Sequence, residues 1–172
     1  HLWLPQQIGL AAVLSGLIVI TLSNMRELRP LGEHGAPERQ PSVSILVPAR
    51  NEEASVGRCL RSLLAQDYPD YEVIAIDDNS EDRTGEILAG LAAQSPRLTA
   101  LQGAPLPPGW LGKNWACQQL VRQAHGELLL FTDADTCHHP RALADAVAAL
   151  EAQRADLLTA FPQQETVTWA ER

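Results

Sequence analysis

The chain lacks most of the signatures that would announce a function class directly. Its three cysteines (Cys59, Cys117, Cys137) are odd in number and widely spaced, with no Cys-x-x-Cys pair. This argues against a disulfide framework or a zinc site, and reduced thiols in a cytosolic compartment are expected, each in or near the core. No Gly-x-x-x-x-Gly-Lys-Ser/Thr stretch is present, which excludes a P-loop NTPase. No Gly-x-Gly-x-x-Gly follows a strand, which excludes a Rossmann dehydrogenase. Positive charge is scarce as well: the net charge is −8, so no nucleic acid partner is expected. One lysine, Lys113, stands against twelve arginines, which makes it easy to single out. Internal repeats and low-complexity tracts are also missing.

What remains is 172 residues, 45 % apolar and 20 % charged, enough for one domain with a core and a short appendage. Residues 2–22, LWLPQQIGLAAVLSGLIVITL, carry no charge and reach the ~20 residues that cross a bilayer. No small-x-small cleavage signature precedes the charges that follow, so residues 1–24 are expected to be a transmembrane anchor rather than a signal peptide. Arg26 and Arg29 come next, which predicts that the C-terminal side is cytoplasmic. Residues 25–41 form a linker, rich from residue 29 onward in Pro, Gly and charge. The first residue is His and the last residues, TVTWAER, read as the start of a helix, so a piece of a longer protein is expected.

Beyond residue 41 the chain alternates in type. Strands are predicted at 42–48, 71–77, 97–102, 126–133 and 155–161, and helices at 52–66, 82–94, 112–124 and 140–153. Asn51 is the expected N-cap of the first of these helices, with Glu52 and Glu53 in its first turn. Asp77 or Ser80 is the expected cap of the second, and Pro140 opens the last. Continuous apolar strands between amphipathic helices make this an α/β chain with a mostly parallel sheet, covered on both faces. Ligands of such sheets gather beyond the carboxyl ends of the strands.

Acidic residues mark three of those ends: PARNEE (48–53), IDDNSEDRTGEI (76–87) and TDADT (132–136). So many carboxylates on one rim repel one another unless a cation or a donor-rich ligand meets them. Asp133 and Asp135, two apart in extended chain, point to one side and suit Mg²⁺ or Mn²⁺. Asp78 is a fixed acceptor for a nucleobase or ribose. Lys113 opens a helix, where the macrodipole disfavours a cation unless an anion such as a diphosphate lies near. His138 and His139 are candidate extra metal ligands. Trp110 and Trp115 are expected to pack, one against the loop and one in the core.

In this order and spacing, VSILVPARNEE, YEVIAIDDNSEDRTGEI, GKNWACQQ and ELLLFTDADT resemble the family 2 glycosyltransferases of the GT-A fold, over about residues 42–161. PLPPGWLGKNWA further resembles the membrane-associated branch linked to carotenoid and hopanoid glycosylation. The resemblance implies a Rossmann-like, nucleotide-sugar-binding sheet over 42–172, truncated at its C-terminal side. Pro48, Ala49, Arg50 and Glu52 would line the nucleotide pocket, Asp78 would contact base or ribose, and Lys113 would lie near the phosphates. Asp133, Ala134 and Asp135 would form the Asp-x-Asp motif, with Asp135 the more direct metal ligand. Arg50 stands where many members carry tyrosine. The implied reaction is inverting transfer from a nucleotide-diphosphate sugar, UDP-sugar favoured, to a lipid or polyisoprenoid hydroxyl at the cell membrane. Its general base would lie beyond Arg172. A non-catalytic membrane-tethered scaffold and a haloacid-dehalogenase-type phosphotransferase are the alternatives. The latter is disfavoured because Cys137 stands where that motif wants Thr or Val.

Overall fold

The computed structural model describes residues 3–27 and 30–162; Arg29 and the stretch 163–172, with its TVTWAER segment, lie outside the described residues. An apolar helix, α1 (Trp3–Glu27), leads. The following stretch is not a plain tether: a 3₁₀ turn at Leu31–His34 packs on the last helix, with Gly32 close to Asp145. Four strands and four helices then alternate: β1 (Val43–Ala49), α2 (Val56–Leu64), β2 (Tyr71–Asp77), α3 (Thr84–Ala92), β3 (Leu98–Gln102), α4 (Gly112–Val121), β4 (Leu128–Phe131) and α5 (Ala142–Ala152).

All strand pairs are parallel, in the order β3-β2-β1-β4. The alternation of strand side chains sorts β1 between two cores. Val43, Ile45, Val47 and Ala49 face α2, α3 and α5, meeting Val56, Cys59, Leu60, Leu63, Leu88, Leu143 and Val147. Leu46, with Ile74 and Ile76 of β2, faces Ala116 and Leu120 of α4. The buried positions of α2 (56, 59, 60, 63) are one stripe at helical spacing, which is why this short segment is a helix.

Three expectations need correction. Residues 155–161 form no strand. The chain leaves α5 through Arg154 in the left-handed region (φ 48°), with the Ala155 amide bonding back to the Leu150 carbonyl, and Leu157 and Phe161 end about four-fifths exposed. Only Thr159 there is β-branched, so little local preference opposes this exit. Second, β4 is confined to the four apolar residues rather than 126–133 and is only half covered: Leu129 and Phe131, on one face, are 43 % and 51 % exposed, while Leu128 and Leu130 on the other pack on the core. Third, α2 starts at Val56 rather than at residue 52. Asn51 is in the left-handed region (φ 55°), which cannot cap a helix in the usual extended geometry, and Ser55 holds the cap position.

The strand order matters for function. From β1 the chain moves outward to β2 and β3, then returns to place β4 on the other side of β1. The crevice between the carboxyl ends of β1 and β4 is thus a topological switch point, where two connections diverge and leave a gap.

Candidate active site

The rim loop after β1 and the rim loop after β2 are stitched together. The Asn51, Glu52 and Glu53 amides donate to Ser80 Oγ (2.9 Å), Thr84 Oγ1 (2.8 Å) and Asp82 Oδ2 (3.0 Å). In return, the Glu81 and Arg83 amides donate to Asn51 Oδ1 (2.8 Å) and Glu53 Oε2 (3.1 Å). These reciprocal bonds satisfy rim amides that the start of a helix would leave without a partner, and they hold Asn51 in the left-handed region. Asp82, rather than Asp77 or Ser80, receives the amide of Thr84 at the start of α3 (2.9 Å) and its hydroxyl (2.6 Å). Burial would raise the Asp82 carboxyl, but the bonds from Thr84 and the Glu53 amide outweigh it and hold it below the usual range. Buried Asp77 turns inward, accepting from the Ser80 amide (3.0 Å). Asp78 is held by its own amide on the Ala49 carbonyl (2.8 Å), which leaves its carboxylate for the crevice.

That crevice is a cavity of about 270 Å³ lined by Pro48, Ala49, Arg50, Glu52, Asp78, Gly112, Lys113, Ala116, Asp133, Ala134 and Asp135. Every residue singled out in the sequence as a donor-site candidate lies on this wall. Gly112 and Ala116 were missed, since small residues carry no chemistry that a motif search would notice. A Cβ at Gly112 would stand 3.6 Å from Asp78 Oδ2, so its bareness keeps the mouth of the crevice open.

Lys113, in the first turn of α4, places Nζ 2.6 Å from Asp133 Oδ1. This bond, against a smaller opposing effect of burial, raises the lysine above its ordinary range. The anion near the helix start is therefore, in this state, the protein's own carboxylate. Asp135 accepts no hydrogen bond among the described residues, and both aspartate side chains are exposed while Ala134 between them is buried.

The histidines do not join this group. His138 Nε2 lies 3.0 Å from both Thr132 Oγ1 and Thr136 Oγ1, and burial pushes the ring below the usual histidine range. His139 Nδ1 receives the Arg141 amide (3.3 Å). Among the described residues no cluster of three or more His, Cys, Asp or Glu could hold a metal. Neither tryptophan enters the core: Trp110 and Trp115 meet edge to face at 5.2 Å, and Trp115 Nε1 donates to the Ala104 carbonyl (3.1 Å). Of the cysteines, Cys59 is buried, Cys117 partly so, and Cys137 exposed, against expectation, because it follows the rim turn.

Similar proteins point the same way. Beta-monoglucosyldiacylglycerol synthase of Trichormus variabilis is 43 % identical over 97 residues, 55 % of this chain and 20 % of that protein. The 4,4'-diaponeurosporenoate glycosyltransferase of Staphylococcus haemolyticus is 33 % identical over 124 residues, 70 % of this chain and 32 % of that protein. The chain thus spans a fifth to a third of these relatives. Among solved structures, the mannosyltransferase PcManGT from Pyrobaculum calidifontis, in complex with GDP-Man and Mn²⁺, superposes with a TM-score of 0.66 at 28 % identity, over 83 % of this chain and 42 % of that one. TarS 1-349 of S. aureus, in complex with UDP, gives 0.55 at 31 %, over 66 % and 33 %. Residues 44–171 match the model of glycosyl transferase family 2, and with the parallel GT-A-like sheet and its switch-point crevice, the chain belongs to that family.

Proposed function

We propose that this chain is the donor-binding part of a membrane-anchored glycosyltransferase that takes a sugar from a nucleotide diphosphate to a lipid hydroxyl, with inversion. The observation that carries the reading is the convergence of Asp78, Lys113, Asp133 and Asp135, from two strand ends and the start of α4, on one switch-point crevice. Pro48, Ala49, Arg50, Glu52 and Asp78 form the base and ribose wall. Lys113 and the Asp133–Ala134–Asp135 turn form the diphosphate end. Arg50 is exposed, so a base would meet a guanidinium plane there rather than a tyrosine ring.

The two carboxylates fit Mg²⁺ or Mn²⁺, which takes one or two protein oxygens when substrate phosphates supply others. Such an ion, when bound, supplies charge stabilisation for the departing diphosphate. Lys113 is already held at Asp133 and needs only a side-chain rotation to give its charge to a phosphate oxygen instead. UDP is the favoured nucleotide, on the strength of the TarS complex, while the PcManGT complex keeps GDP in view. A lipid acceptor is supported by the relatives named for diacylglycerol and diaponeurosporenoate. The base that takes the acceptor proton is assigned to the part of those relatives' length that this chain does not match. α1 would be the anchor, with the sheet on the cytoplasmic side; its span Gln6–Met25 buries nothing inside the protein.

Calorimetric titration of the chain with UDP-, GDP- and TDP-sugars, with and without Mn²⁺, tests this. Metal-dependent binding of one nucleotide class is expected. If none binds at millimolar concentration with metal present, the reading fails.

A further inference from the structure

We propose that His138, carrying its proton on Nε2, heads a one-way hydrogen-bond relay through Thr132 and Thr136 that ends on the Asp133 carbonyl and positions the Asp133–Asp135 turn. The argument is a count of protons. Thr136 Oγ1 lies 2.7 Å from the Asp133 carbonyl oxygen, which can only accept, so the one hydroxyl proton of Thr136 is spent there. Toward Thr132 Oγ1 at 2.9 Å, Thr136 must therefore accept, and Thr132 donates its own proton. Both hydroxyl protons are then committed. The two 3.0 Å contacts of His138 Nε2, one to each threonine oxygen, are hydrogen bonds only if the ring donates. With a bare Nε2, two sides of this triangle would set lone pair against lone pair in a half-buried place, which is costly.

The relay is anchored from behind. The His138 amide donates to Ser62 Oγ (3.0 Å), whose hydroxyl donates to the Cys59 carbonyl (2.7 Å) on α2. Cys59 Sγ adds a weak contact to the same Asp133 carbonyl (3.5 Å). Among the described residues, the turn bearing the two carboxylates has two backbone bonds, the Thr132 amide on the Leu46 carbonyl (3.2 Å) and a long one from the Thr136 amide to the Asp133 carbonyl (3.4 Å). Side-chain bonds from the hydroxyls and His138 therefore carry most of its shape, and the ring, three residues past Asp135, is not part of the crevice lining. His138 is a positioning residue, and its role in donor binding rests on the function proposed above.

The relay is tested on the full chain in detergent micelles by long-range ¹H–¹⁵N correlation of the imidazole rings, with His138→Gln to assign its signals. A proton on Nε2 is expected; a bare Nε2 with the proton on Nδ1 overturns the relay. Positioning is tested by amide exchange at Thr136, whose N–H also reaches the Asp133 carbonyl (3.4 Å). Losing the hydrogen bond in His138→Leu or Thr136→Val is expected to speed exchange about tenfold. His138→Gln and Thr136→Ser, which keep a donor and a hydroxyl, should restore it. Equal exchange in all four variants overturns positioning. UDP titration with Mn²⁺ adds the functional arm: affinity should fall about tenfold in the Leu and Val variants alone. Binding unchanged there, with wild type binding, removes the role in donor affinity. A wild type that binds no nucleotide sinks the function instead and leaves the first two measurements to decide the relay.

Discussion

An ion pair between side chains that are each more than half exposed adds at most ~1 kcal/mol to folding. The contact of Lys113 with Asp133 at 2.6 Å is of this kind, so its value lies in holding a cation at the crevice mouth. Lys113→Met should therefore change stability by less than about 1 kcal/mol in urea titration. It should weaken nucleotide-diphosphate binding by about tenfold or more in calorimetry, because a charge-assisted bond is lost. A large loss of stability with unchanged affinity would reverse that assignment. Thiol reactivity gives a second residue-scale check. Burial pushes the Cys59 thiol up to about 11, so it stays protonated at neutral pH. Iodoacetamide at pH 8 should label exposed Cys137 first and Cys59 only after unfolding, read by mass spectrometry. At this scale the chemistry-bearing residues of the crevice were legible, because paired carboxylates after an apolar run are costly without a use. Gly112 and Ala116 were not, since their contribution is the absence of bulk.

Between elements, the opposite end of the sheet is closed by a clasp that the motifs do not reveal. Ser44 Oγ donates to Glu72 Oε1 (2.6 Å), and the His125 amide donates to the same oxygen (2.8 Å). The Gly126 amide donates to Ser44 Oγ (2.8 Å), so β1, β2 and the entry to β4 share one polar knot. Burial would raise the Glu72 carboxyl, but the bonds from Ser44 and His125 outweigh it and lower it. A carboxyl lowered in the folded state stabilises above its unfolded value, about pH 4.3, and that share is lost as the pH falls through the folded value. Glu72→Gln should cost about 1 kcal/mol at neutral pH and flatten the acid limb of a stability–pH curve; an unchanged limb would remove Glu72 from it. Gly126 has no room for a side chain: an added Cβ would collide with the Ser44 amide nitrogen and stand 2.7 Å from the Val43 carbonyl carbon. Gly126→Ala should cost about 1–3 kcal/mol or more by denaturant titration, because the obstacle is backbone. The kinds and order of eight elements followed from apolar periodicity, and their ends did not. The start of α2 is set by cross-loop bonds and the extent of β4 by its pairing with β1, neither of which is a local property.

For the molecule as a whole, α1 is the element whose role in the proposed function is open to a direct test. Its span buries no part of itself in the protein, so it needs an apolar partner. The full chain should float with phosphatidylcholine vesicles in a sucrose gradient, and a chain starting at residue 30 should stay at the bottom. Equal flotation of both would remove α1 as the anchor. By itself, the sequence determined the alternation of strands and helices, the apolar leading segment, and the acidic residues at three strand ends. Those are read from spacing and residue type, which act within a few residues along the chain. Only the tertiary structure decided that residues 155–161 leave the sheet, that the Asn51 loop is laced to the loop after β2, and that Lys113 rests on Asp133. It also decided that His138 turns to two threonines. Each of these joins groups brought together by strand order or by competition for the same hydrogen bonds, and such competition is settled only when all the partners are in place.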